Sequence, residues 1–121
     1  MIGLGIDVCH VERIENALQK GDGFLKRYYT QEEREYLTNR KDAQSAAGMY
    51  AAKEAFLKAL GAGLSGGVAL SDIGVTHDTR GCPSYALSAK ALDAMQEKGA
   101  HTSHLSISHD GGIAAAVCVL E

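Results

Sequence analysis

Cysteine is scarce in this 121-residue chain: Cys9, Cys82 and Cys118 are odd in number, widely spaced and contain no C-x-x-C pair. No disulfide framework is needed, and the three read as reduced thiols of a cytoplasmic protein. Long apolar runs are missing too. The longest, Ile113 to Leu120, is too short to span a bilayer, and no basic segment leads into an apolar stretch at the N-terminus, so cytosolic solubility is expected. Nor is positive charge in surplus: twelve Lys and Arg stand against fifteen Asp and Glu, which argues against a general nucleic-acid binder. The basic residues are unevenly spread, however. Residues 1–60 hold nine basic and nine acidic side chains and residues 61–121 only three and six, so the N-terminal half is the one suited to an anionic partner. No repeat, linker or low-complexity segment interrupts the chain, and its length suits a single domain, 1–121, with a small core.

What is present is a strong helix signal in the middle. Ala43 to Leu60 is rich in Ala, Leu, Lys and Glu, free of proline, and followed by Gly61, the residue expected at a left-handed helix stop. Met49, Ala52, Phe56, Ala59 and Leu60 fall on one apolar face, while Tyr50, Glu54 and Lys58 line another at i, i+4 spacing. A second signal is Met1 to Val8, a glycine-punctuated apolar run whose only charge is Asp7; such runs form buried strands. Val11 to Leu18 spaces as a short amphipathic helix closed by Gly21. Thr30-Gln31-Glu32-Glu33 is a capping-box pattern opening a helix through Leu37, which accounts for Thr30 and Glu33 without a catalytic role.

Beyond the central helix, Gly61, Gly63, Gly66 and Gly67 read as a flexible loop, since they follow a helix and no G-x-x-x-x-G-K-[ST] is present. The period then changes to two, giving a hairpin of Ile73 to His77 and Pro83 to Leu87, with Pro83 at a strand start. Ser88 caps a further helix closed by Gly99. Ser103 to His109 and Ile113 to Leu120 form the last hairpin, the latter strand apolar on both faces and therefore central. The sum is an α+β fold on a mostly antiparallel sheet.

Asp7 on a strand and Glu54 on a helix could together hold a hard divalent cation, with substrate phosphates and water completing its shell; Lys53 and Lys58 would face the phosphate charge. Phosphoryl-type chemistry follows. Taken alone, each acid also has an ordinary reading: Asp7 as a turn or cap, Glu54 as a surface partner of Lys58. His10, His77 and His101 lack companions at zinc spacing, and His104 and His109, five apart on one strand, point to opposite faces.

Gly5-Ile6-Asp7, Glu12-Arg13-Ile14, the set Phe24, Arg27, Thr30, Glu33 and Tyr36, then Ala51-Ala52-Lys53-Glu54-Ala55-Phe56-Leu57-Lys58-Ala59-Leu60-Gly61 and finally His104-Leu105-Ser106-Ile107-Ser108-His109 resemble, in order and spacing, the small bacterial holo-acyl-carrier-protein synthases. These are 4′-phosphopantetheinyl transferases. The resemblance implies coenzyme A as donor, a serine of apo-acyl carrier protein as acceptor, adenosine 3′,5′-bisphosphate as product, and a place in fatty acid biosynthesis. It implies Mg²⁺ held by Asp7 and Glu54, with Glu54 or a metal-bound water taking the serine proton, Lys58 serving the leaving phosphate and Lys53 adding charge nearby. It further implies His109 near the coenzyme phosphates, Arg13 in carrier docking, and a homotrimer with active sites between subunits. Two positions depart from the pattern: Met49 stands where relatives commonly have arginine and Cys82 where they often have lysine, so weaker coenzyme A binding is expected. A magnesium-dependent phosphodiesterase and a turnover-deficient binding trimer are the rival readings of the same residues.

Overall fold

The computed structural model describes residues 1–40, 42–61 and 67–121; Gly63 and Gly66 of the expected flexible loop lie outside the described residues. Strand β1 (Gly3–His10) is followed by α1 (Val11–Gln19), α2 (Gly23–Tyr28), α3 (Gln31–Arg40) and the 18-residue α4 (Ala43–Leu60). After a 3₁₀ turn at Leu70–Asp72 come β2 (Ile73–His77), β3 (Pro83–Leu87), α5 (Ala89–Glu97), β4 (Ser103–Asp110) and β5 (Ile113–Leu120). The α+β order is the expected one, with α2 as an addition, since six residues are too few to display a helical period.

Helix α4 is the axis of the molecule. The Asp42 carboxylate accepts from Ser45 N at 2.6 Å and opens the helix, and Gly61, at φ +79°, closes it by donating to the Leu57 and Lys58 carbonyls. Ala46, Ala47, Ala51, Ala52, Ala55 and Ala59, with Phe56, Met49 and Leu60, are buried in one continuous core. Burying Phe56 alone contributes about 1.5–3 kcal/mol.

The strands form two antiparallel sheets, β1-β5-β4 and β2-β3, with β5 in the centre of the first as its two apolar faces require. Asp7 pairs with Ala116, and Leu105 and Ile107 on β4 pair with Cys118 and Ala116, so these side chains share the face packed on α4. Gly3 and Gly5 explain the punctuation of β1. A Cβ at Gly5 would fall on the Ala55 carbonyl oxygen and one at Gly3 on that of Ala59, so only glycine lets the strand lie directly on the helix backbone.

Alternation corrects one expectation. Strand β1 was read as buried, yet it is an edge strand, and Leu4, Ile6 and Val8 are 58%, 57% and 61% exposed. Only Gly3, Gly5, Asp7 and Cys9 point towards α4; the apolar residues between them point away, opposite Val119, Val117 and Ala115 of β5.

Candidate active site

The close crossing of β1 over α4 brings the first acid to the central helix. Asp7 follows Gly3 and Gly5 on the inner face, and its Oδ1 accepts from Lys58 Nζ at 3.2 Å, while the same ammonium donates to the Ile6 carbonyl at 3.0 Å. The Lys58 side chain stays 56% exposed and Asp7 17%, so the pair opens to solvent on the lysine side. Glu54 lies one turn before Lys58 on the same face of α4, half-buried. Strand and helix thus join Asp7 to the Glu54 and Lys58 face, as the spacing suggested.

Burial pushes the Cys9 thiol above its ordinary range, the Arg13 guanidinium pulls it down, and the Asp7 and Glu54 carboxylates push it up again. Arg13 itself, on α1, lies with its Cζ 5.5 Å from the centre of the Tyr50 ring and donates to the Tyr50 hydroxyl at 3.5 Å. The Tyr50 phenol is held above its ordinary range, first by burial and then by Glu54. Tyr50 was placed on the Glu54 face by its spacing but given no role.

Lys53 is elsewhere. Expected beside the phosphates, it is fully buried, and its ammonium spends all three protons inside the protein: on Glu33 Oε1 at 2.6 Å, the Ile73 carbonyl at 2.8 Å and the Leu70 carbonyl at 3.2 Å. Burial pulls its pKa down and Glu33 opposes the shift. Glu33 is more than half of a capping box. The reciprocal bonds with Thr30 exist, at 2.8 and 3.1 Å, but Glu33 Oε2 also accepts from Val75 N at 3.0 Å, so the one carboxylate ties α3, α4 and β2 together. The physical reason for the correction is helical phase: Lys53 is four residues after Met49 and three before Phe56, on the apolar face.

His109 projects on the Leu105 and Ile107 side of β4, as expected, and its Nε2 lies 2.9 Å from the Gln44 carbonyl near the start of α4. A Cβ at Gly48 would come within 2.9 Å of that nitrogen, so glycine is what admits the ring. His109 shares a 240 Å³ cavity with Ser45, Gly48, His77, Gly81, Pro83 and Ile107. Gly48 and Glu54 are six residues apart, about 9 Å along the helix axis, so His109 and the Asp7–Lys58 pair occupy separate stretches of α4. Met49 is 1% exposed in the core, which removes it from any phosphate-facing position, whereas Cys82 is exposed in the turn beside the His109 cavity.

Asp7 and Glu54 are the two carboxylates that would supply a donor set; no group of three or more His, Cys, Asp and Glu able to hold a metal exists among the described residues. That composition fits an ion such as magnesium, which keeps several waters and substrate oxygens, and does not fit a closed zinc site. Among the described residues no helix is long and apolar enough to cross a membrane.

Known proteins match this chain along nearly its whole length. A sequence model of the 4′-phosphopantetheinyl transferase superfamily matches residues 3–118. The holo-[acyl-carrier-protein] synthase of Trichlorobacter lovleyi is 43% identical over 100% of this chain and 98% of its own length, and that of Treponema denticola is 45% identical over the same shares. Among solved structures, the holo-[acyl-carrier-protein] synthase of Neisseria meningitidis superposes with a TM-score of 0.91 at 32% identity, covering 100% of this chain and 98% of that one. The Helicobacter pylori enzyme of the same name, solved in complex with coenzyme A, gives 0.84 at 31% identity over 98% of this chain and 99% of that one. Matched along nearly its whole length in sequence and in fold, the chain belongs to the 4′-phosphopantetheinyl transferase superfamily.

Proposed function

We propose that this chain moves the 4′-phosphopantetheine group of coenzyme A to a serine hydroxyl of an apo-acyl carrier protein, releasing adenosine 3′,5′-bisphosphate, in a Mg²⁺-dependent reaction that supports fatty acid biosynthesis. The chain works as one transferase domain, 1–121, in the cytoplasm. The observation that carries the reading is the contact of Lys58 with Asp7, 3.2 Å across the β1–α4 crossing and one turn from Glu54. The donor is supported by the Helicobacter pylori relative, which binds coenzyme A, and the acceptor by the names of the relatives.

Asp7 and Glu54 are the residues that would hold Mg²⁺, and the bound ion would offset charge developing on the pyrophosphate oxygens. Glu54, half-buried beside the opening, accepts the proton of the attacking serine hydroxyl. The serine oxygen bonds to the phosphorus of the phosphopantetheine phosphate as the pyrophosphate P–O bond breaks. Lys58, already fixed by Asp7 and the Ile6 carbonyl, presents its exposed ammonium to the departing phosphate and can supply its proton. His109 binds the coenzyme at the other end of α4, and Arg13 receives acidic side chains of the carrier.

The resemblance implies a homotrimer with sites between subunits, and the exposed Leu4, Ile6 and Val8 supply an apolar surface for the neighbouring copy to cover.

The test is the intact mass of apo-acyl carrier protein after incubation with the chain, coenzyme A and Mg²⁺, beside a Glu54→Gln variant and an EDTA control. A gain of one phosphopantetheine that vanishes in both controls is expected. Hydrolysis of coenzyme A without carrier modification would instead identify a phosphodiesterase.

A further inference from the structure

Tyr50 occupies the junction between two regions that the reaction must connect. Its ring stacks on Phe24 of α2 at 5.8 Å between centroids and meets Tyr28 edge-on at 6.4 Å. Phe24 and Tyr28 in turn wall a surface depression with Ala17, Lys20 and Arg27, adjoining a second one lined by Arg13, Ala17 and Lys20. On its other side the Tyr50 ring carries the Arg13 guanidinium at 5.5 Å, inside the range of about 6 Å in which a cation is drawn to an aromatic face. The hydroxyl contact, at 3.5 Å, is at the long limit of a hydrogen bond, so the ring does most of the holding.

A lone arginine on a short surface helix would sweep many rotamers and lose that freedom on binding. Here it cannot. Arg13 is docked on a half-buried ring that belongs to α4, the helix that also bears Glu54 one turn on. The separation between the docking cation and Glu54 is therefore set by one rigid element.

We propose that Tyr50 is a positioning residue for carrier recognition: its ring preorganises Arg13 so that an acidic carrier protein is gripped in register with Glu54. The proposal rests on the transferase reading above. Tyr50 touches neither coenzyme nor reacting atoms in this role, so its effect falls on the carrier and leaves the coenzyme alone.

The experiment is steady-state transfer, varying carrier and coenzyme A separately, with the wild-type chain, Tyr50→Leu, Tyr50→Phe, Arg13→Ala and the Arg13→Ala/Tyr50→Leu double variant. Tyr50→Leu is expected to raise the carrier KM about 2- to 5-fold, the size of one exposed cation–π contact, with the coenzyme KM and kcat unchanged. Tyr50→Phe keeps the ring and stays near wild type. In the Arg13→Ala background Tyr50→Leu changes nothing further, because its only route is through Arg13. Thermal melts of each variant separate a general loss of fold, which would lower the apparent kcat through a smaller active fraction and leave both KM values in place. An undiminished Tyr50→Leu effect without Arg13, or a carrier KM indifferent to Tyr50→Leu, overturns the role of Tyr50 while leaving the transferase intact. Absence of transfer by the wild-type chain overturns the transferase reading itself.

Discussion

Replacing Lys53 by methionine tests the core more sharply than any other single change. The substitution keeps the volume of the side chain and removes the charge, leaving Glu33 fully buried with its Thr30 and Val75 amide donors but no counter-ion, and the Leu70 and Ile73 carbonyls without their donor. Breaking a buried pair in this way costs about 3–5 kcal/mol. With about 2.1 cal/mol/K of unfolding entropy per residue, a chain of 121 residues loses about 4 °C of melting temperature per kcal/mol, so a fall of about 12–20 °C is expected. Calorimetry at fixed protein concentration measures it, and titration with coenzyme A on the same samples, below the melting range, measures binding. Adding Glu33→Gln should recover at least half of the loss, because no charge then remains buried. A melting temperature within about 4 °C of wild type, together with a tenfold weaker coenzyme affinity, would show the ammonium acting on phosphate and refute its place in the core.

Gly5→Ala sets a Cβ against the Ala55 carbonyl and 2.7 Å from Ala59 N, so β1 must lift off α4 and carry Asp7 with it; a stability loss of about 2–3 kcal/mol and at least a tenfold fall in transfer rate are expected, and a fully active variant would disprove the tight crossing. His77 is held below its ordinary value of 6.5, first by burial and then by Arg40, so below that pH the unfolded chain binds more protons and stability is lost as pH falls towards the depressed folded value. Melts at pH 7.5 and 5.0 should therefore diverge less in His77→Phe, which keeps the stack on Tyr36 but cannot titrate; equal divergence would contradict the assignment. Ile6→Lys places a charge in the exposed stripe and should reduce the particle mass measured by light scattering from trimer to monomer without altering the far-ultraviolet spectrum; a wild-type chain already monomeric would dispose of the trimer.

Much of this was legible in the residues. The ends of α4 are written by Asp42 and Gly61, the β2–β3 hairpin by alternation and Pro83, and the pairing of a strand acid with the Glu54–Lys58 face by the isolation of Asp7 in an apolar run. Nearness to Glu54 in sequence suggests a phosphate-facing Lys53, but phase with Met49 and Phe56 turns it into the core. The capping box accounts for only part of Glu33, since a carboxylate has two oxygens and the second bonds a strand 42 residues away. The exposed stripe of β1 could not be read from hydropathy, which reports that a residue avoids water and is silent on whether its own chain or another covers it.

Among the described residues strand β1 is hydrogen-bonded in register to β5 alone, from Gly3 against Leu120 to His10 against Ile113, so the strand carrying Asp7 is locked by a strand more than a hundred residues on. Closing that pair must wait until everything between has collapsed, the long-range pairing that slows folding most. Asp7 thus finds its backbone partner, Ala116, more than a hundred residues away along the chain. A chain lacking β5 would keep Asp7, Glu54 and Lys58 but lose the strand that holds Asp7 against α4.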